Sequence, residues 1–246
     1  MPIIYLSPST QDWNMYVTGS GSEEYNMNLL ADALEPYLLA AGIQYKRNRP
    51  EMTAASSIRE ANSGYYDFYL ALHSNAAPEG RYGEERGIIA FYYPGSTQGQ
   101  RAAELFAENL RQIYPLPNKV TIRATTSLGE VRQSRAPAVL LEIGYHDNYA
   151  DARWVETHMD AIAQQLARAL TEFFGLPFVY PMTPADGEVD VEYGTLNLHS
   201  RPASTATVLA NMPDGARVRV YGEWQGWYTV HYQNYVGYAA AAYIDI

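Results

Sequence analysis

Residues 138–148 read AVLLEIGYHDN. Four small or branched apolar residues with no alternation are the pattern of a strand buried on both faces, as in the parallel sheets of α/β proteins. The run ends on Glu142, an acid where burial of an unpaired carboxylate is costly. A second stretch, LALHSN at 70–75, repeats the form with His73 in the terminal position. Strand-end positions of open α/β sheets are where reactive groups collect.

Outward from these two runs, strands and helices alternate. PIIYL at 2–6 reads as a strand, followed by a long loop to Gly21. A helix then starts near Ser22, with Met27, Leu30, Ala31, Leu34, Leu38 and Ala41 on one face and Gly42 as its stop. Further strands are expected at 43–46, 67–72, 87–93 and 138–142, with helices at 54–62, 98–113 and one unbroken helix at 151–174. Alternation of this kind predicts an α/β sheet. Glu24 stands three residues before Met27 and seven before Ala31, on the apolar face near the first helix's N-terminus.

The chain has 246 residues, and the pattern changes after Gly175. Residues 177–192, rich in proline and acids, read as a linker between a domain at 1–176 and one at 193–246. The last segment reads as short strands and turns alone, compact enough for a small barrel. Trp224 and Tyr235, next to turns, are its candidate substrate-binding residues, because aromatic rings cover sugar or peptide faces. Trp227 reads as core.

Composition narrows the chemistry. Seventeen Lys and Arg against 27 Asp and Glu give a net charge of −10, which argues against nucleic acid as partner. There is no cysteine, so thiolate nucleophiles, disulfides and cysteine metal sites are excluded, and any metal must sit on His, Asp or Glu. Five histidines are present: His73, His146, His158, His199 and His231. No apolar run is long enough to span a membrane, and the N-terminal residues lack the pattern of a signal peptide. Ligands of this kind plus an open position for water, with a further carboxylate as base, are what catalytic zinc uses.

Residues 4–174 resemble the zinc-dependent N-acetylmuramoyl-L-alanine amidases, cell-wall hydrolases of bacteria. The likeness rests on EEYNMNLLADALEPYL opening the first helix, on IREAN, on LALHSNA and on PAVLLEIGYHDN. It implies an open mixed sheet flanked by helices, zinc as cofactor, peptidoglycan as substrate and a place outside the cell or in its wall. Carried over residue by residue, it implies Glu24 and His73 as zinc ligands and Glu142 as the catalytic carboxylate, with Arg59 and Asn62 holding structure or orienting the site. The family's Gly-rich loop after the first strand usually supplies another ligand histidine; here it reads LSPSTQDWN, with none. His146 can fill that position, as the better zinc ligand. Gln11 or Asp12 can supply an oxygen instead, or the domain is a metal-free wall-binding scaffold. A zinc peptidase cutting within the stem peptide uses the same groups. Residues 193–246 closely resemble bacterial SH3-like domains that target the cell wall, through GTLNL, GWYTV and VGY.

Overall fold

The computed structural model describes residues Met1–Ile246. Contacts divide them into two compact units: 4–34 with 45–173, and 1–3, 35–44 and 174–246. In chain order the elements up to residue 174 are β1 (Ile3–Pro8), α1 (Glu23–Ala40), β2 (Gln44–Arg47), α2 (Ala54–Ser63), β3 (Phe68–Asn75), β4 (Ile88–Tyr92), α3 (Thr97–Arg111), β5 (Val120–Ala124), α4 (Gly129–Arg132), β6 (Ala138–Tyr145), α5 (Tyr149–Thr157) and α6 (Met159–Phe174). β7 (Ala185–Val189), β8 (Thr195–His199), β9 (Val208–Pro213), β10 (Arg217–Trp224), β11 (Trp227–Tyr232), β12 (Tyr235–Ala240) and β13 (Ile244–Asp245) follow.

The first six strands form one sheet in the order β2-β1-β3-β6-β4-β5. β3 runs parallel to β1 and to β6, whereas β4 is antiparallel to β6, which makes the sheet mixed. Its central strands are apolar on both faces because helices cover both, and Leu70, Leu72, Val139 and Leu141 have no exposed surface. The apolar stripe of α1 is buried as its spacing predicts, from Met27 and Leu30 to Leu38 and Ala41. Gly42 then turns the chain with φ +69°.

Three sequence expectations are altered. The single helix over 151–174 is two, α5 and α6, parted at His158, whose φ −125° and ψ 21° are not helical. Side chains compete for the backbone there: Thr157 Oγ1 donates to the Arg153 carbonyl at 2.8 Å, and His158 Nδ1 lies 2.9 Å from the Trp154 carbonyl. Residues 114–137, in which no element was expected, form β5 and the one-turn helix α4. Part of the expected linker is strand: β7 pairs with β10 and β13 in the second sheet.

That second sheet is antiparallel in the order β13-β7-β10-β11-β12-β8-β9 around a core that includes Leu198, Met212, Val220 and Val230. Its β10–β11 turn runs through Gln225 and Gly226 with φ 47° and 80°, as a tight hairpin requires. Within this unit, Tyr238 donates to the Ala41 carbonyl at 2.7 Å and Thr229 to the Ala40 carbonyl at 2.8 Å, satisfying acceptors at the end of α1.

The buried Asp151 locks the outgoing end of β6. It accepts from Tyr114 OH at 2.7 Å, Arg86 Nε at 2.8 Å and the Gly87 amide at 2.9 Å. The end of β6, where the Tyr145 amide donates to Asp151 at 3.2 Å, is thereby tied to the residues that lead into β4.

Candidate active site

The parallel pairing of β3 and β6 makes His73 and Glu142 register partners, so both side chains leave the sheet on the same face. A groove of about 700 Å³ opens over them. Gln11, Asp12 and Trp13 from the loop after β1 line it, as do Glu24, residues 50–54 and the Leu128–Glu130 segment. Five carboxylates face it, from Asp12, Glu24, Glu51, Glu130 and Glu142, and no Lys or Arg does. An occupant carrying positive charge suits such a lining.

His73 is held at both ring nitrogens. Nδ1 lies 2.8 Å from Glu23 Oε1, and Nε2 lies 2.8 Å from Glu130 Oε2. Glu130 is fixed in turn by Ser7 Oγ at 2.8 Å and Tyr69 OH at 2.9 Å, both donating to Oε1. Glu23 accepts from Asn14 Nδ2 at 2.8 Å through its other oxygen. Gln11 Nε2 stands 3.4 Å from both His73 Nδ1 and Glu23 Oε1. The loop is pinned to the helix start, where the Glu23 amide donates to the Asn14 carbonyl at 2.7 Å and the Glu24 amide to the Gln11 carbonyl at 3.2 Å.

Electrostatics follow from this packing. Burial alone would strip the proton from His73, but Glu130 and then Glu23 outweigh it and hold the imidazole well above its ordinary value. Burial raises Glu23 and Glu130 too, yet the bonds and charge of His73 bring both below the usual carboxylate range. Glu142 has no such partner. Burial pushes it up to about 7, with the His73 charge opposing and the charges of Glu23 and Glu130 adding. Its Oε2 is buried without a hydrogen bond.

The structure therefore brings His73 and Glu142 together, but the carboxylate against His73 belongs to Glu23, one residue before the one expected. Glu24 lines the groove, with Oε1 3.5 Å from Asn28 Nδ2. Glu23 had an equal signal in the sequence, four residues before Met27 and seven before Leu30. His146 is occupied elsewhere: Nδ1 meets the Ser74 carbonyl at 3.0 Å and Ser74 Oγ at 3.1 Å, and the ring stacks on Tyr16. It does not line the groove. Glu130 gave no sequence signal, since a four-residue helix carries no periodicity. Asn62 holds structure, donating to the Gln133 carbonyl at 2.8 Å.

In the second unit, Trp224 and Tyr235 are not brought together. Trp224 faces Trp227 across one hairpin turn and Tyr235 faces Tyr232 across the next, at opposite ends of β11. A six-residue strand separates such ends by about 17 Å. A cleft of about 480 Å³ lies instead between Tyr193, Trp227, Tyr243, Asn197 and His199. Tyr193 is 86% exposed and Tyr243 50%.

Residues 14–172 match the N-acetylmuramoyl-L-alanine amidase family, and residues 194–245 match the bacterial SH3 domain. No curated protein matches the sequence. Among solved structures, the N-acetylmuramoyl-L-alanine amidase AmiC2 of Nostoc punctiforme is similar at 15% identity and a TM-score of 0.62, over 71% of this chain and 97% of that one. The catalytic domain of CwlV, an N-acetylmuramoyl-L-alanine amidase from Bacillus (Paenibacillus) polymyxa, is similar at 16% identity and 0.61, over 72% and 100%. An N-acetylmuramoyl-L-alanine amidase from Clostridium difficile 630 is similar at 17% and 0.61, over 71% and 97%. At these identities the structural likeness is one of fold. With its family match spanning well over half the residues, the chain belongs to the N-acetylmuramoyl-L-alanine amidase family and carries a bacterial SH3 domain behind the amidase domain.

Proposed function

We propose that this chain is a peptidoglycan hydrolase that cleaves the amide between the lactyl group of N-acetylmuramic acid and L-alanine, with Glu142 as the general base and acid. The observation that carries the reading is the Glu142 carboxylate: half-buried, its Oε2 buried without a hydrogen-bond partner, raised to about 7 and lining the groove that also holds His73. A group poised near neutral pH can both take and return a proton. Glu142 accepts a proton from the attacking water and delivers one to the departing amine of L-alanine.

The residues present fit zinc. Imidazole nitrogen and carboxylate oxygen are its ordinary ligands. His73 turns Nδ1 toward Glu23 while Nε2 rests on the buried Glu130, the arrangement in which metal-ligating histidines keep their second nitrogen on a carboxylate. Glu23 takes the ligand role expected of Glu24, and His73 keeps its own. When bound, zinc supplies positive charge that acidifies water and polarises the carbonyl. Glu130 holds the His73 ring in the orientation that this requires.

The double clamp on His73 also favours a second reading, in which a proton on the ring neutralises the two carboxylates and the domain is a wall-binding scaffold without catalysis. Release of stem peptides from purified walls separates the two. The hydrolase releases peptides with a free amino-terminal L-alanine and stops releasing them when zinc is chelated. Retention on walls with no release at any zinc concentration would leave the scaffold.

On this reading the SH3 domain keeps the enzyme on an insoluble polymer and raises the local substrate concentration without new chemistry. The cleft at Tyr193, Trp227 and Tyr243 presents the aromatic faces for that contact. Tyr193→Ala is expected to weaken co-sedimentation with purified walls roughly two- to tenfold, the worth of one aromatic contact. Unchanged co-sedimentation, with Trp224→Ala or Tyr235→Ala weakening it instead, would move the contact to the hairpin ends. The family's substrate supports a location at the wall or outside the cell; no helix is long and apolar enough to cross a membrane.

A further inference from the structure

We propose that Gln11 completes the metal centre as the third protein ligand, through its side-chain amide oxygen. The inference rests on the zinc reading above and goes beyond it in naming the group that stands where a third donor is needed. A catalytic zinc takes three protein ligands and leaves a fourth position for water or substrate. No three His, Asp or Glu side chains converge here on a common point. Glu23 and His73 supply two donors, which leaves the third position to a residue of another type standing beside both.

The Gln11 amide stands at that point. Its terminal nitrogen, Glu23 Oε1 and His73 Nδ1 form a triangle with sides of 2.8, 3.4 and 3.4 Å. Tetrahedral ligands held at about 2.1 Å stand roughly 3.4 Å from one another. Without a cation the amide presents Nε2, a donor, toward the Glu23 carboxylate, while Oε1 accepts from Asn14 Nδ2 at 3.1 Å. A half-turn of the amide exchanges oxygen and nitrogen on nearly the same two positions. That change gives up the 3.1 Å bond from Asn14 Nδ2, which then faces the amide nitrogen, while Asn14 keeps its 2.8 Å bond to Glu23.

The backbone around Gln11 is already placed. Its amide N–H donates to Ser9 Oγ at 3.3 Å, and its carbonyl accepts from the Glu24 amide at 3.2 Å. The side chain thus needs to lose little freedom to serve. His146, the other residue considered for this role, has Nδ1 engaged by Ser74 and lies outside the groove lining. An amide oxygen is a neutral and weaker zinc donor than an imidazole nitrogen. The centre should therefore hold zinc less tightly than one with a histidine at position 11.

Zinc affinity of the full-length chain, measured by competition with a chromophoric chelator, tests this without reference to activity. Gln11→Ala should weaken binding by roughly tenfold or more, since loss of an outer partner alone costs about 10- to 100-fold. Gln11→His should tighten it, and Gln11→Glu should keep it, whereas His146→Ala should leave it unchanged. Circular dichroism of each variant checks the fold. Wild-type affinity in Gln11→Ala overturns the proposal while the zinc reading stands. Failure of both wild type and Gln11→His to bind zinc overturns the zinc reading itself, and this proposal with it.

Discussion

Glu142→Gln should release almost no stem peptide from purified walls while binding zinc as the wild type does. Glutamine preserves the shape of the side chain and the groove but cannot take a proton from water. Removal of a positioned acid–base group costs about 100- to 10,000-fold in rate. Turnover within a few-fold of wild type would refute the role of Glu142. The same substitution should not weaken the fold. The wild-type carboxylate is half-buried with a buried, unpartnered Oε2, raised from an ordinary 4.5 to about 7. A folded-state value above the unfolded one means that the native protein holds the proton more tightly. Stability from this group is then present below pH 4.5 and lost as pH rises toward 7, by roughly 3 kcal/mol across that window. Metal-free Glu142→Gln lacks this loss. Denaturant midpoints compared at pH 5 and pH 8 should show the wild type falling relative to the variant. Parallel pH dependence in the two proteins would contradict the assignment.

Glu130→Ala is expected to be the most destabilising single change at the site. Three buried donors converge on this carboxylate: Ser7 Oγ, Tyr69 OH and, across the ring, His73 Nε2. Truncation leaves the His73 charge without one of its two counter-ions and the Ser7 hydroxyl without its acceptor, while Tyr69 OH keeps Ser7 Oγ at 3.0 Å. Removal of one partner from a buried charged pair costs about 3–5 kcal/mol. The denaturant midpoint should fall accordingly with an unchanged slope. Glu130→Gln keeps an acceptor for Ser7 and Tyr69 and should cost less, about 1–3 kcal/mol. Zinc affinity of Glu130→Gln should still fall about 10- to 100-fold, because the ring loses the carboxylate that orients it. A Glu130→Ala protein as stable as wild type would show that the clamp contributes nothing to the fold.

These two carboxylates differ in how much of them could be read in advance. Glu142 ends an apolar run in the sequence, and an acid in that place needs a reason, so both its strand and its chemical interest were legible. His73 stood out on the same ground. Glu130 lies in a stretch with no apolar period, on a single turn of helix between β5 and β6, and only the chain's return under the sheet puts it against the ring. The helix break at His158 escaped because apolar spacing continues across it. The bonds from Thr157 and His158 back to the preceding carbonyls interrupt the helix without disturbing that spacing. Strand β7 escaped because its proline-rich flanks and acidic residues resemble a solvated linker, although its partners lie far ahead in the chain.

Composition and local pattern by themselves pointed to a two-part chain, an α/β sheet, and His73 and Glu142 each at the end of an apolar strand. These are properties of neighbours in sequence, which periodicity and residue type report directly. The choice between Glu23 and Glu24 is a rotation of about 100° around the helix axis, and both positions satisfy the apolar spacing. The choice among Gln11, Asp12 and His146 depends on how one loop folds back over another. Only tertiary packing places Glu23 and Gln11 beside His73 and turns His146 toward Ser74, because these contacts join segments from 9 to more than 60 residues apart, whose closure no local rule encodes.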